Sequence, residues 1–353
     1  MNVYSDLKIF HFPGKLVSLP CEASITPPLH VRWKPTNRCN HRCLYCSYRQ
    51  KNLQLGRDMN IRDMAPQDKM REIAQDLVSM GVKAVTFSGG GEPLTYPYLL
   101  EASRILSAGG IKLACLTNGA LLSGEVAEFF AHNAAWVRIS MDGWDDVSYS
   151  RYRGVKDGEY RHIMRNMGAF AALNGSCVLG VNLIVDAGNA FQVEGSLRRL
   201  KEAGVHNVKV SACVVSDDPA ENNAYHAPHF EMVREAVEKS KVDLADNSFE
   251  LLDAWHTSAE DFVKNYNWCP FSQILTVIGA DLGVYPCQDK AYNDAALLGS
   301  LQEQSFKEFW MGGKDGFFRL RPCRDCAHHC TTNNKNLMLL EYLNCAPGHL
   351  DFV

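Results

Sequence analysis

Residues 29–46 read LHVRWKPTNRCNHRCLYC. The run LHVRWKPTN (29–37) has the apolar, alternating character of a strand. It leads straight into Cys39, Cys43 and Cys46, spaced Cys-x3-Cys-x2-Cys, with Tyr45 just before the last. Three thiolates are one fewer than a closed zinc or iron–sulfur site uses. His41 lies inside the loop, but four zinc ligands packed into this short loop would be an unusual geometry. A [4Fe–4S] cluster on three thiolates instead leaves one iron coordinatively open, and an open iron can bind a substrate or cosubstrate directly.

Five further runs read as strands: KAVTFSG (83–89), IKLACLTNG (111–119), AWVRISMDG (135–143), CVLGVNLIV (177–185) and NVKVSACVV (207–215). Helical stretches alternate with them. MREIAQDLVSMG places Met70, Ile73 and Leu77 on one face, with Pro66 near its start and Gly81 at its end. In NAFQVEGSLRRLKEAG, Asn189 reads as the N-cap and Gly204 as the stop. Strand–helix alternation predicts α/β architecture with a parallel sheet or barrel, whose ligands gather at the C-terminal strand ends. Those ends carry the unusual residues: the cysteines, SGGGEP, TNG and SMDG. One such end is ordinary turn chemistry, whereas four in succession point to one shared site.

The chain has 353 residues, 46% of them apolar, and a net charge of −4. Length allows one to three domains, and the charge argues against a nucleic-acid surface. Asp6, Lys8, His11 and Lys15 interrupt the apolar residues of the N-terminal stretch, so it does not read as a signal peptide. No apolar run is long enough to span a membrane, and the expected location is cytoplasmic. Thirteen cysteines are then many, because in a reducing compartment clustered cysteines hold metal or do redox chemistry. Cys21, Cys115, Cys177 and Cys213 stand alone and read as small buried hydrophobes.

The cysteine spacing after a first strand, the aromatic before the third cysteine and Gly-Gly-Glu-Pro after the second strand resemble the radical S-adenosylmethionine (SAM) superfamily. The resemblance covers residues 30–215 as motifs in order. It implies a partial (β/α)6 TIM-type barrel and a SAM-binding [4Fe–4S] cluster on Cys39, Cys43 and Cys46. It also implies cleavage of SAM to a 5′-deoxyadenosyl radical that takes a hydrogen atom from substrate. SAM would supply the missing coordination. By the same resemblance Ser140 and Arg153 would hold the methionine carboxylate, and Tyr45 would sit beside adenine. Glu92 would anchor the bend or the methionine ammonium, and Gly90 and Gly91 would let backbone approach the ligand. Asp142 and Asn118 would be partners of the ribose or form the site wall.

From residue 263 the pattern changes. SQILTVIGADLGVYPC (272–287) reads as a hairpin around Gly279–Gly283, followed by a short helix SFKEFWMG and then CRDCAHHC. Cys269, Cys287, Cys323 and Cys326 could close a four-thiolate site, with Cys330 or Cys345 as replacements or spare thiols. This resembles the twitch subdomain, the short relative of the SPASM domain, which houses one auxiliary [4Fe–4S] cluster; a zinc ribbon is the alternative. The expected organisation is an N-terminal extension (1–28), the barrel (29–225), linker helices (226–262) and a small α+β auxiliary-cluster domain (263–353).

These readings lead to a radical SAM enzyme acting on a small polar molecule, a sugar or aminocyclitol, with a flavodoxin or ferredoxin as electron donor. The auxiliary cluster would accept an electron and give an oxidised product. Alternatively Cys213, Cys330 or Cys345 would return a hydrogen atom and give an epimer. Asp217, Asp218, His226, His229 and His256 are candidate bases, and nothing in the sequence selects among them. A peptide-modifying maturase is the second reading, set back by the short stretch before the first strand. A pure electron carrier is the third, and it needs no methionine pocket.

Overall fold

The computed structural model describes residues 5–20, 25–244, 246–255, 262–349 and 351; Cys21 and His256 lie outside them. All six runs form strands: β1 (His30–Trp33), β2 (Ala84–Phe87), β3 (Lys112–Thr117), β4 (Ala134–Met141), β5 (Val178–Val185) and β6 (Asn207–Ala212). They pair in parallel and in sequence order. The helix Gln67–Ser79 joins β1 to β2, and Met70, Ile73 and Leu77 are fully buried. Gly81 follows it at φ +74°, a left-handed conformation that stops a helix without a Cβ penalty.

Alternation along the strands gives the sheet two unlike faces. Val31, Trp33, Val85, Phe87, Val137 and Ile139 are fully buried and pack with the helices. Arg32, Arg138, Ser140, Asn182, Lys209 and Ser211 point the other way and are half-buried. Lys209 on β6 feels the charge of Arg32 on β1. Five strand spacings would hold these residues about 24 Å apart in a flat sheet. The sheet is therefore rolled, and the polar face lines the inside of a partial barrel.

Two strands extend the barrel beyond the six. β7 (Glu250–Asp253) pairs in parallel with β6, inside the stretch expected to hold linker helices. Its ELLD sequence is too short to carry a period, so the pairing comes from the open edge of β6. On the other side β8 (Leu275–Ile278) pairs in parallel with β1. β9 (Gly283–Tyr285) and β10 (Gly299–Ser300) continue antiparallel from it. The expected hairpin is thus present, but it is welded to the barrel as one ten-stranded sheet. Asn189 holds the N-cap position of the 3-10 turn Ala190–Gln192 that leads into the helix, but its side chain does not cap: its amide donates to the carbonyls of Asp142 and Ile184, and its oxygen accepts from Asp186 N. It ties the end of β4 to the end of β5.

Candidate active site

The loop after β1 carries Cys39, Cys43 and Cys46, all partly exposed. It is pinned to the helix Asp146–Arg153, which starts with a capping box between Asp145 and Ser148. Arg42 N donates to Arg153 O (2.7 Å) and Leu44 N to Tyr152 O (2.9 Å). The orphan carbonyls of that helix end thus become the seat of the cysteine loop. Gly154 closes the helix at φ +59°. Burial pushes the Cys39 thiol up to about 11, and burial also raises Cys46.

The same helix end delivers the Arg153 side chain. Its Nε lies 3.0 Å from Asp142 Oδ1 and 2.8 Å from Oδ2, and its Nη1 lies 3.5 Å from Cys43 Sγ. The cation also sits over the rings of Tyr45 and Tyr149. Burial works against its charge, but Asp142, Tyr149 and Cys43 outweigh it and hold Arg153 firmly protonated. Burial raises the Asp142 carboxyl while Arg153 opposes the rise. A neutral Asp142 would strand a buried guanidinium, which does not lose its proton, so the ionised pair is the state at neutral pH. Asp142 also accepts from Gly143 N (2.8 Å). It is therefore the counterion of Arg153.

SGGGEP packs onto the cysteine loop from the other side. Ser88 N donates to Trp33 O, Gly91 N to Thr36 O (3.1 Å) and Glu92 N to Arg38 O (2.8 Å). A Cβ on Gly90 would lie 2.1 Å from Asn37 Oδ1, and one on Gly91 would lie 2.0 Å from Arg38 O. These glycines admit the neighbouring loop, where ligand approach was expected. Glu92 is buried, and its carboxylate accepts from Thr117 Oγ1 (2.6 Å), Asn118 N (2.7 Å) and Leu94 N (3.0 Å). Burial raises its carboxyl, and these bonds oppose the rise. Of its two expected roles, the geometry shows the anchor. Asn118 donates to Asn40 Oδ1 (2.7 Å), so it braces the cysteine loop from β3.

In the C-terminal part, Cys269, Cys287 and Cys326 are buried and Cys330 is half-buried. Burial pushes Cys269 and Cys326 up to about 12, and each also feels the Cys330 thiol. Cys287 feels Cys330, Cys269 and Cys326 together. These four form one group. Cys323, expected in it, is exposed on the short helix Pro322–Asp325 and its thiol donates to Asn267 Oδ1. Cys345 is exposed as well and bonds Glu341 O. Among the described residues, no three His, Cys, Asp or Glu side chains converge as tightly as a single ion requires.

The two cysteine sets are physically joined. Tyr48, two residues after Cys46, accepts from Gln288, the residue after Cys287, and from buried Lys34 (2.5 Å). Gly56 N donates to Ala291 O and Asp58 N to Tyr292 O, and Gln54 binds the backbone of Asp289. Lys34 also donates to Gly89 O (2.6 Å), and its pKa lies well below the usual lysine value because of burial. The sequence reading missed Lys34, Tyr48 and Gln288; a lysine on the inward parity of β1 was the available signal.

Residues 33–185 match the family described as Radical SAM superfamily. This stretch is a radical SAM domain. The chain is 23% identical to an AdoMet-dependent heme synthase of Methanosarcina barkeri, over 87% of its own length and 89% of that protein. It spans only 30% of an Fe-coproporphyrin III synthase from the same organism, at 28% identity over 36% of this chain. Its fold is shared with Streptococcus suis SuiB bound to precursor peptide SuiA, with a TM-score of 0.64 at 16% identity, covering 90% of this chain and 74% of that one. It is shared also with anSMEcpe bound to AdoMet, with a TM-score of 0.61 at 16% identity, covering 90% of this chain and 100% of that one.

A radical SAM domain uses a [4Fe–4S] cluster and SAM, and the residues here fit both. Three thiols share one loop, with no fourth His, Cys, Asp or Glu grouped with them among the described residues. Arg153 Nη2, Tyr45 Oη and Ser88 Oγ are buried without a hydrogen-bond partner. A guanidinium N–H left open beside Cys43 suits a carboxylate. Ser140 faces the barrel interior in register with Asn182. Cys213 follows β6 and is buried, its thiol pushed up to about 12 by burial. Three of the candidate bases have structural tasks: Asp217 accepts from Gln54 N, Asp218 caps the helix Pro219–His226, and His226 binds the Cys213 carbonyl. No helix among the described residues is long and apolar enough to cross a membrane.

Proposed function

We propose that the chain is a radical SAM oxidoreductase acting on a small polar substrate inside the barrel. The bridge between the cysteine sets supports this reading, because it connects the SAM-cluster loop to a second buried thiol group through Tyr48 and Gln288. When bound, SAM and its cluster would supply a hydrogen-abstracting radical, and a cluster on the second group would accept the electron left as the substrate radical releases a proton to solvent. Cys39, Cys43 and Cys46 hold the first cluster, with the methionine carboxylate at Arg153 and Ser140 and adenine beside Tyr45. Glu92, Asn118 and the glycines keep that loop in place. Cys269, Cys287, Cys326 and Cys330 hold the auxiliary cluster of a twitch-type subdomain. The likeness to a heme synthase along nearly its whole length supports a small-molecule substrate over a peptide. A cytoplasmic flavodoxin or ferredoxin delivers the electron that starts the cycle.

The test is anaerobic reconstitution with SAM and dithionite. The wild type should release 5′-deoxyadenosine and carry about eight irons. Ala at Cys39, Cys43 and Cys46 should abolish release and leave about four irons, and Ala at Cys330 should remove the other four. Release that continues in the triple variant would sink the proposal, and four irons with one zinc in the wild type would replace the auxiliary cluster by a zinc ribbon. Epimerisation is the second reading, favoured by Cys213: burial keeps its thiol protonated, the form that donates a hydrogen atom. Turnover in deuterated water separates the two, because only epimerisation places solvent deuterium on the reacting carbon.

A further inference from the structure

The inward face of the barrel carries a concentration of positive charge that the radical chemistry does not explain. Arg32 on β1, Arg138 on β4 and Lys209 on β6 all point into the lumen by strand parity. Register places Arg32 beside Thr86, Arg138 beside Gly180, and Lys209 beside Asn182, one rung from Arg138. All three are half-buried. His30, on the same parity of β1, binds Thr86 Oγ1 (2.8 Å). Lys335 reaches the same field from the helix Asn333–Leu343 and has a counterion, Asp6, at 3.4 Å.

Lys209 has no such counterion among the described residues. After burial, the groups that perturb it are Arg138, Arg32 and Lys335, all cationic, and all act to lower its pKa. Arg32 Nε is buried with no hydrogen-bond partner. Arg138 Nη2 lies 3.5 Å from Asn207 Oδ1, and its guanidinium lies against the Trp136 ring. Like charges gathered in a partly desolvated cavity oppose folding unless an anion joins them. The neighbours of Lys209 on β5 and β6 are neutral and polar, Asn182 and Ser211, joined by a hydrogen bond of 2.9 Å. Gly180 leaves room for the Asn207 and Arg138 side chains, since a Cβ there would meet Asn207 Oδ1 at 2.7 Å and Arg138 Nε at 3.3 Å.

We infer that the barrel lumen is an anion-binding substrate pocket, in which Arg32, Arg138 and Lys209 grip a carboxylate or phosphate of the substrate. Guanidinium forks from two strands and an ammonium from a third suit an oxyanion with several acceptor oxygens. Arg138 lies one rung below Ser140 and Lys209 lies level with it through Asn182, so a substrate anchored there adjoins the strand tips that would hold SAM. The inference rests on the small-substrate reading and narrows it to an anionic molecule.

The experiment is calorimetric titration of reconstituted, SAM-loaded protein with pyrophosphate and, separately, with propane-1,2,3-tricarboxylate. Prior SAM loading removes the methionine carboxylate from the count. One anion should bind per chain, and the tighter of the two probes identifies phosphate or carboxylate as the substrate group. Lys209→Gln and Arg32→Gln should each weaken binding at least tenfold, while Lys209→Arg should stay within threefold. Lys239→Gln, a change on the outer surface, should have no effect. Binding of neither probe overturns the inference, as does binding that both Gln variants leave intact. Release of 5′-deoxyadenosine by the wild type in the same buffer tests the radical reading independently, so the two failures are distinguishable.

Discussion

Gly91→Ala probes how the SAM site is assembled. The added Cβ would stand 2.0 Å from Arg38 O and 2.5 Å from the carbonyl carbons of Arg38 and Asn37. Every one of these atoms is backbone, so no side chain can swing aside. Reaching ordinary contact moves the two loops apart by roughly 1.4 Å or more. That breaks Gly91 N to Thr36 O (3.1 Å) and strains Glu92 N to Arg38 O (2.8 Å). Each bond contributes about 0.5–1.5 kcal/mol net, and overpacking adds about 1–3 kcal/mol. The expected cost is about 2–6 kcal/mol. For this length the melting entropy is about 0.74 kcal/mol/K, so Tm should fall by about 3–8 °C. Cys39 follows Arg38 directly, so the variant should also lose the first cluster, about four irons, and with it 5′-deoxyadenosine release. Gly168→Ala is the control: it lies in the helix Glu159–Ala172 with nothing within 4 Å of its Cβ, and it should stabilise by about 0.5–1 kcal/mol. The assay is a thermal melt with iron analysis on both variants. A Gly91→Ala protein with wild-type Tm and full iron would show that the glycines do not set the loop spacing.

Two further perturbations test the buried groups of the site. Asp142→Ala removes the counterion of a fully buried guanidinium and should cost about 3–5 kcal/mol in urea unfolding; a loss under about 1 kcal/mol would mean that Arg153 turns to water or another acceptor. In the folded apoprotein at pH 8, iodoacetamide should label exposed Cys323 and Cys345 and spare Cys213, whose thiol is pushed up to about 12 by burial. The thiolate fraction of Cys213 grows only as pH rises towards that value, so its protection should persist to about pH 10 in protein that remains folded; early labelling would place Cys213 at a solvent-open position.

Spacing along the chain was enough to reveal the near-neighbour features of this protein. A strand of period two ending in Gly, Ser or Asn marks itself through neighbours a few residues away. For that reason β1–β6, the helix carrying Met70, Ile73 and Leu77, and the hairpin turn at 279–283 were all legible. The three-cysteine loop was legible too, because its ligands lie within eight residues and their spacing carries the chemistry. Tertiary structure alone decided what depends on distant partners. β7 forms because β6 has an open edge, and β8 pairs with β1 across more than 240 residues of chain. Asp142 was a free candidate until a later helix brought Arg153 onto it. Gly91 looked like ligand clearance until Arg38 O was found in the space beside it. Cys323 and Cys330 are alike in a spacing rule, and a single short helix turns one outward and leaves the other in the buried group. The cations of the lumen are far apart in the chain and meet only because the sheet curls, since direction in space, unlike periodicity, is set by the whole barrel.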